Sequence, residues 1–186
     1  MPNKNLKFSI LIHYSEIGLK KNNRSYFERL FIKNISNHVF GLDHKRIRLL
    51  SARVFIENIN PDDWDSFKNR LKNVMGLSSA ILMIESESEY SAIEDIVDKL
   101  IENQKFDTFR VTTRRHSKKF NKTSIETNID LGSYIQKKTN KKVKLSGADL
   151  NIIIEILKDK SYIGFDKIIG FGGLPAGSQE KAISLI

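Results

Sequence analysis

The chain has 186 residues, 40% of them hydrophobic, enough for one large core or two small ones, and two are expected. It contains no cysteine, which excludes disulfides, thiolate metal sites, a nucleophilic cysteine and any persulfide carried by this chain, and its formal net charge is +9. No apolar run approaches the roughly 20 residues that cross a bilayer, and residues 1–7 lack the apolar stretch of a signal peptide, so a soluble, cytoplasmic chain without a membrane partner is expected.

Leu6 to Tyr14 has the β-branched and aromatic content of a strand, and Arg24 to Phe40 then spaces Phe27, Leu30, Phe31, Ile35 and Val39 as one face of a helix ended by Gly41. Two strands follow, Ile47 to Leu50 and Val54 to Ile59. Strict alternation in the second puts Val54, Ile56 and Asn58 on one face and Phe55, Glu57 and Ile59 on the other. Asn60 reads as an N-cap with Pro61 at the first helical position and Asp62 and Asp63 in the first turn, where the helix dipole favours negative charge. That helix carries Trp64, Phe67, Leu71 and Val74, and Ser79 to Ile84 closes the unit as a strand. Strand, helix, strand, strand, helix, strand is the split βαβ order of a ferredoxin-like domain.

A Glu/Ser-rich stretch, Glu85 to Glu89, marks a boundary, although the preceding strand could serve both units. Ser91 and Glu94 form a capping-box pattern for a helix over Ala92 to Asn103, and Phe109 to Thr113 reads as a strand. Thr123 and Glu126 form a second capping box, opening a helix toward Thr139. Leu150 to Leu157 and Tyr162 to Ile169 read as a hairpin turned at Asp159 and Lys160, and the glycine-rich 170–178 reads as a flexible linker. The fold class is therefore α+β, with domains over 1–76 and 77–169 and a linker with the start of a further strand over 170–186.

The charge is segregated. Residues 1–53 hold 11 basic against 3 acidic side chains, 54–109 hold 5 against 12, 110–144 hold 11 against 2, and 145–186 hold 4 against 5. Two basic blocks around an acidic one create a directional field that suits a polyanion. The sharpest cluster is RRHSKKFNKTS at 114–124, with Arg114, Arg115, Lys118, Lys119, Phe120, Lys122 and Thr123 between a strand end and a helix start. Backbone N–H groups and a helix dipole favour phosphate there, so the cluster reads either as a sugar-phosphate surface or as a solvated charged loop. Lys20, Lys21 and Arg24 sit near the start of the first helix, where cations oppose the dipole and a bound anion would relieve them. Glu16 reads as a structural partner of a nearby cation rather than a general base. The 170–181 stretch lacks the GxxxxGK[ST] spacing of a nucleotide loop, and His13, His38, His44 and His116 show no metal-ligand spacing.

Three segments in order, HYSEIGLKKNNRSYFERLFIKNI at 13–35, FRVTTRRHSKKFNKTSIETNIDLGSYI at 109–135 and GFGGLPAGS at 170–178, resemble the tRNA 4-thiouridine sulfurtransferases, a family also linked to thiamine biosynthesis. Ser15, Asn22, Gln179 and Glu180 depart from the family's usual residues. The resemblance implies an N-terminal ferredoxin-like domain followed by a THUMP domain, with tRNA as partner: the front half would grip the acceptor stem and 3′ end through the basic residues named above. It also implies a PP-loop catalytic domain, in cis or in trans, that uses ATP and magnesium to adenylate and thiolate the uridine at position 8. The KAISLI ending resembles that domain's first strand, so this chain is expected to hold no catalytic residue and no cofactor of its own; homodimerisation is left open.

Overall fold

The computed structural model describes residues 6–102 and 104–179. The strand expected near the end of the chain, in KAISLI, lies outside them. The described chain forms two compact units: 7–82 together with 166–179, and 83–165. The division falls inside a strand that serves both units, as the sequence allows, rather than after residue 76, and the residues from 166 onward rejoin the first unit.

In the first unit, β1 (Phe8–His13), α1 (Arg24–His38), β2 (Arg46–Leu50), β3 (Arg53–Ile59), α2 (Trp64–Leu71) and the opening of β4 (Ser79–Glu87) follow the expected ferredoxin-like order. The sheet runs β2-β3-β1-β4. Ile10, Ile12, Phe31, Ile35, Val54, Ile56, Phe67 and Leu71 are fully buried in its core. Asn60 accepts a hydrogen bond from the N–H of Asp62, so the cap forms as the residues dictate, on a short 3-10 turn over Pro61–Asp63 that leads into α2. The strict alternation expected in β3 does not hold. Asn58 takes a left-handed backbone (φ +56) and the β1–β3 register slips between Phe8 and Ser9, so Ile59 turns back to join Val54 and Ile56 in the core.

The expected hairpin over 150–169 is also revised, because its second strand is two. β8 (Lys160–Gly164) pairs with Ile84–Glu87 of β4, whereas β9 (Lys167–Ile169) pairs with Ser79–Ile81 in the first unit. The glycine-rich stretch after β9 is not a free linker: Gly170 and Gly172 donate to the carbonyls of Ser78 and Leu77, Gly76 donates to Gly172, and Pro175 is buried. Left-handed backbones at Gly172 and Gly173 (φ +67 and +77) let the chain fold back this way.

The second unit contains the end of β4, α3 (Tyr90–Ile101), β5 (Thr108–Arg115), α4 (Ser124–Thr139), a short β6 (Lys142–Val143), β7 (Leu150–Ile156) and β8. Its sheet runs β4-β8-β7-β5-β6, with β5 parallel to both β7 and β6. Ile93, Val97, Phe109, Leu131, Ile135, Ile152 and Ile154 are fully buried. The Ser91–Glu94 box does not form. Glu89, in an extended conformation, is the residue before α3, which starts at Tyr90 rather than Ala92 and leaves Ser91 inside the helix. The Thr123–Glu126 box does form, with both reciprocal bonds, and α4 closes on Asn140 in the left-handed conformation. No helix among the described residues is long and apolar enough to cross a membrane.

Candidate nucleic-acid interface

β5 runs two residues further than its apolar pattern suggests, so Arg114 and Arg115 belong to the strand. Side chains alternate along a strand, which puts Arg110, Thr112 and Arg114 on one face. The parallel register sets these opposite Asn151, Ile153 and Glu155 of β7. Thr112 donates to Asn151 (2.7 Å), and Arg110 Nε lies 3.1 Å from both Thr112 Oγ1 and Asn151 Oδ1. Arg114 pairs with Glu155 at 3.3 Å while its own side chain stays 54% exposed. His116 Nε2 lies 2.8 Å from the other oxygen of the same, fully buried carboxylate. The sequence reading assigned Glu155 and His116 no part in a site; no local signal could, because they meet across 39 residues.

The loop after β5 is held from within. Arg115 donates to the carbonyls of Phe120 and Lys122, both at 3.2 Å, and its backbone N–H donates to Ser124 Oγ. Arg115 thus serves as a brace for the loop. Phe120, expected among the RNA-facing residues, is only 6% exposed and contributes to packing instead. A loop has no periodicity from which that inward turn could be read. Lys122 pairs with Asp130 at 2.5 Å and lies 3.9 Å over the ring of Tyr90, whose hydroxyl is pushed up to about 12 by burial and by nearby Glu94 and Asp130. Thr123 spends its hydroxyl on the cap of α4. Its backbone N–H holds the Glu126 carboxyl below the usual carboxylate range. Lys118 and Lys119 are exposed and form no ion pair among the described residues. Ile125 and Ile129, one turn apart on α4, are 70% and 61% exposed beside the loop.

In the first unit the expected basic loop folds into two 3-10 turns, Glu16–Leu19 and Lys21–Asn23. Arg24 is tied down, donating to Glu28 at 2.8 Å and to the Tyr14 hydroxyl at 3.0 Å, while Tyr14 donates to Glu28. Burial, reinforced by Glu28, pushes the Tyr14 hydroxyl up to about 12. The Lys20 ammonium lies 5.4 Å from the Phe27 ring and Lys21 is exposed. Glu16 forms no ion pair among the described residues, so the cation pairing expected for it is absent there.

Residues 9–80 match the ThiI ferredoxin-like domain, and residues 87–166 match the THUMP domain. The chain carries a ThiI ferredoxin-like domain followed by a THUMP domain. A probable tRNA sulfurtransferase of Moorella thermoacetica is 34% identical over 96% of this chain and 45% of its own length. A crystal structure of PH1313 from Pyrococcus horikoshii Ot3 superposes with a TM-score of 0.81 at 31% identity, covering 91% of this chain and 57% of that one. A 4-thiouridine synthetase solved as an RNA complex with bound ATP superposes at 0.70 and 27% identity, covering 93% of this chain and 44% of that one. This ThiI-type chain thus spans about half the length of the curated relatives it matches. Within the THUMP domain the basic strand end, loop and α4 start are the segment whose residues carried the resemblance.

Proposed function

We propose that this chain is the tRNA-binding part of a tRNA 4-thiouridine sulfurtransferase. The observation that carries the proposal is the end of β5 in the THUMP domain. There Arg114 is half-exposed, Lys118 and Lys119 are exposed without ion pairs among the described residues, and the loop that bears the lysines is braced by Arg115. A braced loop presents its cations with less ordering to be done on binding than a free charged loop would. An A-form stem is recognised by its backbone and shape, because its deep major groove hides the bases, and exposed cations on a firm scaffold suit that task. Lys20 and Lys21 in the ferredoxin-like unit add cationic surface, and the adjacent Ile125 and Ile129 offer apolar contact to an unpaired nucleotide.

In this reading the acceptor stem and single-stranded 3′ end are the parts gripped. Adenylation with ATP and magnesium, and sulfur transfer to the uridine at position 8, belong to a PP-loop domain in the part of the longer relatives outside the matched span. Competition between RNAs tests the proposal. An acceptor-stem minihelix with an intact 3′ end should displace a labelled, unmodified tRNA transcript far better than an anticodon-stem hairpin of equal length. Equal displacement by the two would sink the acceptor-end reading.

A further inference from the structure

Glu155 stands out in its strand. β7 reads LNIIIEI, and this carboxylate is its one charged side chain, fully buried beside isoleucines at 152, 153, 154 and 156. A buried ion pair is weak evidence for stability, since well-packed apolar residues of similar volume serve as well or better. A negative charge beneath a surface built for a polyanion also works against binding at long range. Both considerations ask what else the carboxylate does.

Its two oxygens are divided between two residues at the RNA-facing end of β5. Oε1 takes Arg114 Nη1 at 3.3 Å, and Oε2 takes His116 Nε2 at 2.8 Å. His116 is also anchored through its backbone, whose N–H donates to the Ile156 carbonyl at 2.8 Å and so carries the β5–β7 ladder one residue beyond the strand. His116 is therefore held by its backbone and by one ring nitrogen while its side chain stays 32% exposed, and the Arg114 guanidinium is held by one of its donors while 54% of the side chain stays exposed.

We infer that Glu155 is a positioning residue for RNA binding, fixing the Arg114 guanidinium as a donor and the His116 imidazole as a second polar group at the sugar-phosphate backbone, and that His116 is a further RNA contact. The inference rests on the tRNA-binding reading. A guanidinium is planar, and one N–H held on a carboxylate narrows the directions open to its remaining N–H groups, which a flexible ammonium cannot reproduce.

The test is tRNA affinity in the full chain, because positioning and simple charge predict opposite signs. Glu155→Gln removes a negative charge near the bound polyanion, so electrostatics alone predicts binding equal to or tighter than wild type. Positioning predicts a loss of about tenfold. The loss should disappear once both partners are gone: adding Glu155→Gln to a protein that carries Arg114→Ala and His116→Ala should change nothing further, because the carboxylate acts through those two side chains. Arg114→Lys, a surface change that keeps the charge, should lose affinity like Arg114→Ala, and it decides the matter if Glu155→Gln does not fold. His116→Ala should lose affinity several-fold. Binding by Glu155→Gln or Arg114→Lys at wild-type strength or better overturns the inference. Failure of the wild-type chain to bind an unmodified tRNA transcript removes the underlying reading instead.

Discussion

Replacing Phe120 separates a packing role from a stacking role. The side chain is 6% exposed in the loop that Arg115 braces, so Phe120→Ala removes a buried ring. Such a truncation costs about 3–5 kcal/mol in a packed site. For a chain of this size about 2–4 °C of melting temperature goes with each kcal/mol, which gives a drop of about 6–20 °C. Phe120→Leu keeps the volume and apolar character but has no π-face, and should cost under about 1.5 kcal/mol. A base stacked on an aromatic ring is worth about 1–3 kcal/mol, a factor of about 5 to 150 in affinity. Thermal melts and tRNA titrations of both variants, the latter well below the melting range, distinguish the two roles. Packing requires Phe120→Leu to bind like wild type with little change in melting. A Phe120→Leu protein that melts normally yet binds tRNA tenfold more weakly would refute the assignment.

Gly170→Ala should destabilise by roughly 1–3 kcal/mol, since its Cβ would strike the Leu77 carbonyl oxygen and side chain. In contrast, Gly132→Ala, inside α4 with nothing within 4 Å of the new methyl, should stabilise by about 0.5–1 kcal/mol. Urea midpoints of the two variants should move in opposite directions. The Asp149 carboxylate accepts from the backbone N–H and hydroxyl of Thr108, both at 2.9 Å, and from the N–H of Asp107, which holds its carboxyl below the usual range. A lowered carboxyl contributes stability above its unfolded value of about 3.9 and loses it as pH falls through the folded value. The melting-temperature gap between wild type and Asp149→Ala should therefore be open at neutral pH and close below about pH 4; a gap constant with pH would contradict this.

What the residues announced in advance were features decided within a few positions. The Asn60-Pro61 helix start and the Thr123–Glu126 box both form, because each needs a side chain to reach only two or three residues along the chain. Features set by partners far away were not legible. Whether 160–169 is one strand or two depends on how it divides along β4, and Glu155 meets Arg114 only through the β5–β7 register. Composition misled at 170–178, where the glycines that look like a hinge supply the left-handed turns that fold the segment onto residues 76–78. The basic cluster was visible as charge, but its division into brace (Arg115), cap (Thr123), packing (Phe120) and exposed cations (Lys118, Lys119) required the fold.

The central claim, that exposed cations hold an RNA backbone, is tested most directly by the salt dependence of tRNA binding. Arg114, Lys118 and Lys119 in one unit and Lys20 and Lys21 in the other are exposed or half-exposed cations of the two basic segments. At about −0.9 per phosphate neutralised on a duplex, log K should fall with log salt with a slope near −4 to −5. Lys118→Ala with Lys119→Ala should bring that slope about two units closer to zero, weakening binding at every salt concentration. A tRNA affinity independent of salt, or a slope unmoved by the double substitution, would contradict the account.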